Sequence, residues 1–421
     1  MSVLQAKYIP TVEAIKAAAE KLKGIAAVSP LEEHGRFSEK YNCKILFKRE
    51  DLQQVRSYKI RGAYNKISSL DPEETKNGII CASAGNHAQG VALSCRLLKI
   101  KGKIFMPAPT PNQKVEQVKM FGQDFVEVVL VGDTFDDSYH KAIEECKQFG
   151  KPLVHPFNDP KVIEGQGTVG LEIVQQAKES IDYIFIPVGG GGLASGLSSI
   201  VKGLSPKTKI IGVEPAGAPS MSKSISKGEV VQLEKIEKFV DGASVQRVGD
   251  LTFEICNKNL DVMTTVHEGK ICQTILEMYN KDAIVAEPAG VMSIAALDEF
   301  KDEIKGKTVV CLVSGSNNDI TRTAEIKERA LLYANLKHYF IIKFPQRPGA
   351  LREFVVDMLG PNDDITHFEY TKKVNRENDV AVVGIQLKSQ DDLQPLITKL
   401  KKHNFFGDYL NDKPELFQFL V

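Results

Sequence analysis

A chain of 421 residues, 43% apolar and 26% charged, has the length and composition of a globular protein of two or three domains. Lysine plus arginine equals aspartate plus glutamate at 54 each, so no electrostatic footprint for nucleic acid or an anionic membrane surface exists. No apolar run is long enough to span a bilayer, and the opening MSVLQAKYIP lacks the basic start and apolar stretch of a signal peptide, so a cytoplasmic location is expected. The seven cysteines (Cys43, Cys81, Cys95, Cys146, Cys256, Cys272 and Cys311) contain no CxxC pair and are odd in number, which points to reduced core thiols. The eight histidines show no metal-ligand spacing, and no metal is expected.

In chain order, short Val- and Ile-rich runs at 44–49, 78–82, 103–107, 125–131, 183–188, 209–213 and 308–313 read as buried strands. Amphipathic stretches such as 111–121 and 134–149 lie between them. Near-continuous apolar strands separated by helices predict a doubly wound α/β fold with mostly parallel sheets, helices on both faces, and ligands at the carboxyl ends of the strands. This part is expected to span 1–325, with a smaller subdomain at about 55–155. Residues 326–338 read as a helical connector. From 339 to 421 the order is strand (YFIIKF), loop (PQRPG), helix (ALREFVVDML), strands (DITHFEY and DVAVVGIQL), helix (DLQPLITKLKKH) and a short FFGDYL. That is the ferredoxin-like βαββαβ pattern.

Four segments carry chemistry. Lys59, in Ser57-Tyr58-Lys59-Ile60-Arg61-Gly62-Ala63, is a cation in a partly apolar setting, where desolvation lowers the pKa and leaves a nucleophilic amine able to form a Schiff base with an aldehyde. Ser83-Ala84-Gly85-Asn86-His87-Ala88-Gln89-Gly90 follows a strand and opens a helix, whose free N–H groups suit a carboxylate or phosphate. Capping alone needs one Ser or Asn, not this concentration of Ser, Gly, Asn and His. Gly189-Gly190-Gly191-Gly192-Leu193 also lies between strand and helix, and a phosphate is its expected guest. Ser195 breaks GxGxxG spacing and the Walker pattern is absent, which disfavours nicotinamide and nucleoside triphosphates. Ser314-Gly315-Ser316-Asn317 ends the last strand of the large part and would place a hydroxyl in the same crevice. Together these suit a phosphorylated aldehyde plus an amino acid.

In this order, SYKIRGA, SAGNHAQG, GGGGL and SGSN resemble the fold-type II pyridoxal-phosphate enzymes, and among them the biosynthetic threonine dehydratases (threonine ammonia-lyases). The resemblance covers nearly the whole chain and implies roles. Lys59 would hold pyridoxal 5′-phosphate as an imine and act as general base. Gly189, Gly190, Gly191, Gly192 and Leu193 would bind its phosphate, Asn86 its 3′-oxygen, and Ser314 would face its ring nitrogen. Ser83, Gly85, Asn86 and His87 would hold the substrate carboxylate. A neutral hydroxyl at the ring nitrogen leaves a weaker electron sink than an aspartate would, which favours loss of the β-hydroxyl over transamination. Serine racemases resemble this pattern but carry a serine where this chain has Ala84, so racemisation is not expected. The region of Glu214, acidic in relatives that bind a cation, shows no clear second acid.

The C-terminal part resembles the ACT-like regulatory domain of these dehydratases through Arg347-Pro348-Gly349-Ala350-Leu351, Asp364–Tyr370 and Val383–Gln386, and only one such unit fits. Arg347, Pro348, Gly349 and Leu351 are the expected effector site, with isoleucine as inhibitor and valine as antagonist. The implied substrate is L-threonine, with L-serine as a weaker one, and the implied assembly a homotetramer. The alternatives are a serine dehydratase or another β-eliminating relative, a non-catalytic amino acid sensor, and a nicotinamide dehydrogenase.

Overall fold

The computed structural model describes residues 8–371, 378–413 and 415–417, so most of the opening segment lies outside the described residues. The chain divides into two compact units between Ile320 and Thr321.

Among the described residues, the first unit holds nine strands: β1 (Leu31–Glu33), β2 (Lys44–Arg49), β3 (Ile79–Ala82), β4 (Gly102–Met106), β5 (Val126–Leu130), β6 (Tyr183–Pro187), β7 (Lys209–Pro215), β8 (Val262–Val266) and β9 (Thr308–Val313). They form a six-stranded sheet in the order β1-β2-β9-β6-β7-β8 and a three-stranded sheet in the order β3-β4-β5. All pairings are parallel except β1 with β2. The two-sheet α/β architecture is the expected one, and the seven expected strands are present with their ends shifted by at most two residues. The strands β1 and β8 escaped the reading because both are sheet edges; β1 buries no residue and β8 buries Val266 alone, so neither shows an apolar run.

Every residue of β3, β6 and β9 is buried, as expected of strands covered on both faces. The helix Pro160–Gln176 is the spine that positions the rest. Asp159 caps it by accepting from the backbone of Lys161 (2.8 Å) and Val162 (3.1 Å), and Pro160 opens it. Its glycines let neighbouring helices approach backbone to backbone. A Cβ on Gly165 would lie 2.7 Å from Gly62 Cα of the helix Lys59–Ile67, and a Cβ on Gly196, in the helix Gly192–Leu204, would lie 2.9 Å from Gly167 Cα. The helix of the candidate lysine and the helix after the glycine run are thus set against one support.

The second unit opens with the helix Thr323–Tyr333. It continues with β10 (Lys337–Pro345), β11 (Asp364–Thr371), β12 (Asn378–Gln386) and β13 (Phe406–Tyr409), an antiparallel sheet in the order β11-β12-β10-β13. The helix Leu393–Lys402 turns Leu396 and Leu400 onto a core that includes Phe340, Ile342, Phe354, Val383 and Phe405. The expected helix over 350–359 is one α-turn, Ala350–Glu353, followed by a π-turn, Phe354–Met358. That wider turn keeps Phe354 and Met358 buried while Val355 and Val356 face outward. Among the described residues, no helix is long and apolar enough to cross a membrane.

Candidate active site

Lys59 starts its helix at a junction of the first unit. Ser57 pairs with Gly315 in an antiparallel bridge, and the Tyr58 N–H donates to Ser314 O (3.3 Å). The lysine is partly buried, and its Nζ donates to Pro156 O (2.9 Å) at 5.4 Å from the centre of the Tyr58 ring. Burial depresses its pKa to about 8, against the opposing pull of Cys81 and Glu287. Roughly one amine in ten is then neutral at pH 7.

The helix bearing Lys59 is locked by a buried charge network that the sequence reading missed. Arg61 donates to both oxygens of Glu50 (2.8 Å each) and both of Glu172 (2.6 and 2.9 Å). Lys48 donates to the same Glu172 (2.6 Å) and to Ser29 O (2.6 Å). Arg61, Glu50 and Lys48 are all essentially inaccessible to water, and burial in this form is tolerated because each charge is paired. The Arg61 and Lys48 charges hold the Glu50 carboxyl below its usual range despite the opposing burial.

The structure brings the other predicted segments to Lys59. Gly90 packs on it so closely that a Cβ would lie 3.0 Å from the Lys59 carbonyl. Gly90 belongs to the helix Asn86–Leu98, which starts where β3 ends. Gly85 precedes that helix with no atom within 4 Å of where a side chain would begin, leaving open space over the N-terminus. Ser83 Oγ accepts from the Gly85 N–H (3.3 Å). His87 turns its ring inward, Nε2 against Val154 O (2.8 Å), and burial lowers its pKa to about 3, so the ring stays neutral.

The glycine run reaches Lys59 through Pro156 and Phe157. Phe157 fills the space where side chains on Gly190 and Gly192 would stand, and Gly189 lies against Ala243. Gly191 adopts φ +91° and caps the helix Gly192–Leu204, a conformation suited to glycine. Thr252 Oγ donates to Gly190 O (2.6 Å), which fixes the carbonyl side of the loop and leaves the N–H side for an anion. The Leu193 side chain is in the core, so its contribution to the loop is also its backbone. Ser314 is buried at the end of β9, its Oγ 3.3 Å from Ala289 O.

Glu287, Phe157 and Thr252 do not stand out in the sequence, and Asn317 stands in the SGSN segment without an expected role. Glu287 is buried and accepts from Asn86 Nδ2 (2.7 Å), while Asn317 Nδ2 donates to Asn86 Oδ1 (2.7 Å). Burial, with nearby Asp241, raises the Glu287 pKa to about 7. An acid within the apolar run Ala283–Val291 was the available signal, because a buried carboxylate needs a reason. For Phe157 and Thr252 no local signal exists. Glu214 directs its carboxylate at the Met221 and Ser222 N–H groups (2.6 and 2.8 Å) and the Ser222 hydroxyl (2.7 Å).

Arg347, Pro348, Gly349 and Leu351 belong to the second unit. All four are exposed; Arg347 pairs with Glu353, and Gly349 takes φ +88° ahead of the single α-turn.

A partly buried amine of depressed pKa, an N–H loop with its carbonyls tied back, an amide, and a hydroxyl are brought together around the start of the Lys59 helix. The donor set fits pyridoxal phosphate: an amine for the aldehyde, N–H groups at a helix N-terminus for the phosphate, and a neutral hydroxyl for the ring nitrogen. Residues 23–315 match the family described as pyridoxal-phosphate dependent enzyme, and residues 328–420 match the C-terminal regulatory domain of threonine dehydratase. The chain is therefore a pyridoxal-phosphate-dependent enzyme with an appended regulatory domain.

The biosynthetic L-threonine dehydratase IlvA of Halalkalibacterium halodurans is 56% identical over 410 residues, 97% of this chain and 99% of that one. Its counterpart in Bacillus subtilis is 52% identical over 420 residues, 100% of this chain and 98% of that one. The solved structure of the processed form of threonine deaminase isoform 2 from Solanum lycopersicum superposes with a TM-score of 0.73 at 39% identity, covering 78% of this chain and 92% of that one. The chain belongs to the biosynthetic L-threonine dehydratase family.

Proposed function

We propose that the first unit dehydrates and deaminates L-threonine to 2-oxobutanoate and ammonia, the opening step of isoleucine biosynthesis, and that the second unit binds isoleucine as feedback inhibitor and valine as antagonist. The observation that carries this is the Lys59 amine, depressed to about 8, on a residue whose backbone packs on Gly90, whose neighbours Ser57 and Tyr58 meet Gly315 and Ser314, and whose Nζ reaches the glycine run through Pro156 and Phe157. Pyridoxal phosphate supplies the electron sink that makes the α-proton acidic. The backbone N–H groups of Gly189, Gly190, Gly191, Gly192 and Leu193 hold its phosphate. Asn86 would meet its 3′-oxygen, and Ser314 its ring nitrogen. Ser83, Gly85 and the N–H groups of Asn86 and His87 orient the substrate carboxylate. Lys59 would hold the aldehyde end of the cofactor, and its Nζ would take the substrate α-proton.

Threonine and serine differ by one methyl group, which a pocket distinguishes by ~1–3 kcal/mol, so serine is a substrate some 10- to 200-fold poorer. Arg347, Pro348, Gly349 and Leu351 form the effector turn, and the assembly is a homotetramer in the cytoplasm. The test is to follow 2-oxo acid release from threonine and from serine, with and without isoleucine and valine, alongside the visible band of bound cofactor. Release from threonine, suppressed by isoleucine and restored by valine, is the expected result. A protein that binds pyridoxal phosphate yet releases no 2-oxo acid from either amino acid would sink the assignment.

A further inference from the structure

Beside Asn86 runs a line of side chains whose direction is fixed at both ends. Asn317 Nδ2 spends its two hydrogens on Val55 O (2.9 Å) and Asn86 Oδ1 (2.7 Å). Asn86 must then turn its own Nδ2 the other way, and that group donates one hydrogen to Glu287 Oε1 (2.7 Å). The Val55 carbonyl can only accept, so Asn317 cannot flip, and Asn86 cannot flip without turning its Nδ2 hydrogens on those of Asn317. The arrangement leaves Asn86 a second Nδ2 hydrogen, held in a set direction. Glu287 is itself held. Its N–H donates to Gly315 O (3.1 Å), its carbonyl accepts from Gly290 N–H (2.8 Å), and a side chain on Gly315 would overlap its carboxyl group. The glycine of the SGSN segment thus makes room for an acid 28 residues earlier in the chain.

We propose that Glu287 is a positioning residue for the threonine reaction, which acts through Asn86 by aiming its free amide hydrogen at the 3′-oxygen of the cofactor. This rests on the reading that Asn86 meets the cofactor there. Burying a carboxylate within reach of Asp241 is unfavourable, and its pKa rises to about 7 in consequence. A site that needed only a filled volume would be better served by an apolar or amide side chain. The acid is retained where its Oε1 accepts from the neighbouring amide.

The test is a double-mutant cycle on the affinity of the apoenzyme for pyridoxal phosphate, using Glu287→Ala, Asn86→Ala and the pair. Loss of one oriented hydrogen bond predicts affinity about tenfold weaker for Glu287→Ala. Glu287→Gln, which can still accept from Asn86, should restore most of it. In the Asn86→Ala background, Glu287→Ala should change the affinity by less than about twofold, and both single variants should shift the cofactor's visible band in the same direction. An undiminished effect of Glu287→Ala in the Asn86→Ala background, or an unchanged affinity and band in Glu287→Ala itself, would overturn the proposal. If Glu287→Ala does not fold, the same cycle run with Glu287→Leu in its place decides it by the same criteria, with Glu287→Gln again the variant that should keep the affinity. Failure of the wild-type protein to bind pyridoxal phosphate would instead remove the underlying functional reading, so the two failures are distinct.

Discussion

Gly190 and Gly192 lie against Phe157, whereas Gly85 faces open space, though both turns join a strand to a helix at the rim of one crevice. In the first turn the protein itself occupies the room a side chain would take. Glycine is needed there so that Phe157 and Thr252 can brace the loop from behind. In the second turn the room is left for a ligand, and the bracing comes from the side, through Asn86 to Glu287 and Asn317. The packed turn is held by groups that do not titrate and the open one by a carboxyl group that does. A run of glycines in a sequence therefore says that something comes close, and does not say whether that is ligand or protein.

Removing Lys59 leaves both turns intact and tests whether they amount to anything without the amine. Lys59→Ala should lose about 10³-fold or more of threonine turnover and all borohydride-trappable cofactor, with the fold retained by circular dichroism. Retained turnover would mean that the two turns serve a different nucleophile. Next in size are the glycines. Gly190→Ala must displace the Phe157 ring, and overpacking of this kind costs about 1–3 kcal/mol in stability. Gly85→Ala should melt within about 1 kcal/mol of the wild type, while its KM for threonine rises about tenfold as the methyl group enters the carboxylate's space. A Gly85→Ala protein that loses stability and keeps its KM would erase the distinction between the turns.

Much of this was legible in the sequence because it is local. Seven of the nine strands of the first unit show as apolar runs, and Lys59, Ser83, Asn86, the glycines and Ser314 all stand in short segments bounded by such runs. What failed to show is what depends on the chain returning to itself. Arg61 meets Glu172 across 111 residues, Asn86 meets Glu287 across 201, and the partners of the glycine loop, Phe157 and Thr252, come from two other segments. Edge strands were lost for a simpler reason, since β1 and β8 bury too little to carry a pattern. The π-turn at Phe354–Met358 was read as α-helix because the alternation of buried and exposed residues is similar over so short a span.

The charge beside the open turn should make stability respond to pH. The Glu287 pKa is raised from 4.5 to about 7 by burial and Asp241, against the opposing effects of Asn86, Lys114 and Lys59. Between those values the folded protein keeps a proton that the unfolded chain has released. Stability from this group is thus present below about pH 4.5 and lost as pH rises through about 7. Glu287→Gln removes the titration. In chemical denaturation of the cofactor-free protein, the variant should match the wild type near pH 4.5 and exceed it near pH 8 by at most about 3 kcal/mol. A constant difference across that range would mean that the acid is charged throughout.

The packed turn supplies the contrast. Thr252 Oγ is shared between Gly190 O (2.6 Å) and Gly249 O (3.1 Å), and Thr252 is fully buried. Thr252→Val keeps the shape and takes away the donor, so the Gly190 carbonyl is left buried without it, at a cost of about 1–3 kcal/mol. Freed from its brace, the loop can rotate its peptide planes, and the N–H groups on the opposite face lose their common direction. Affinity for pyridoxal phosphate should fall about tenfold, with Thr252→Ser restoring it, since serine keeps the donor. No ionisable group takes part in this bond, so the stability difference from the wild type should be the same at pH 5 and pH 8, measured by the same denaturation. A pH-dependent difference would show that the packed turn also leans on a charge, and the two turns would then differ in geometry alone.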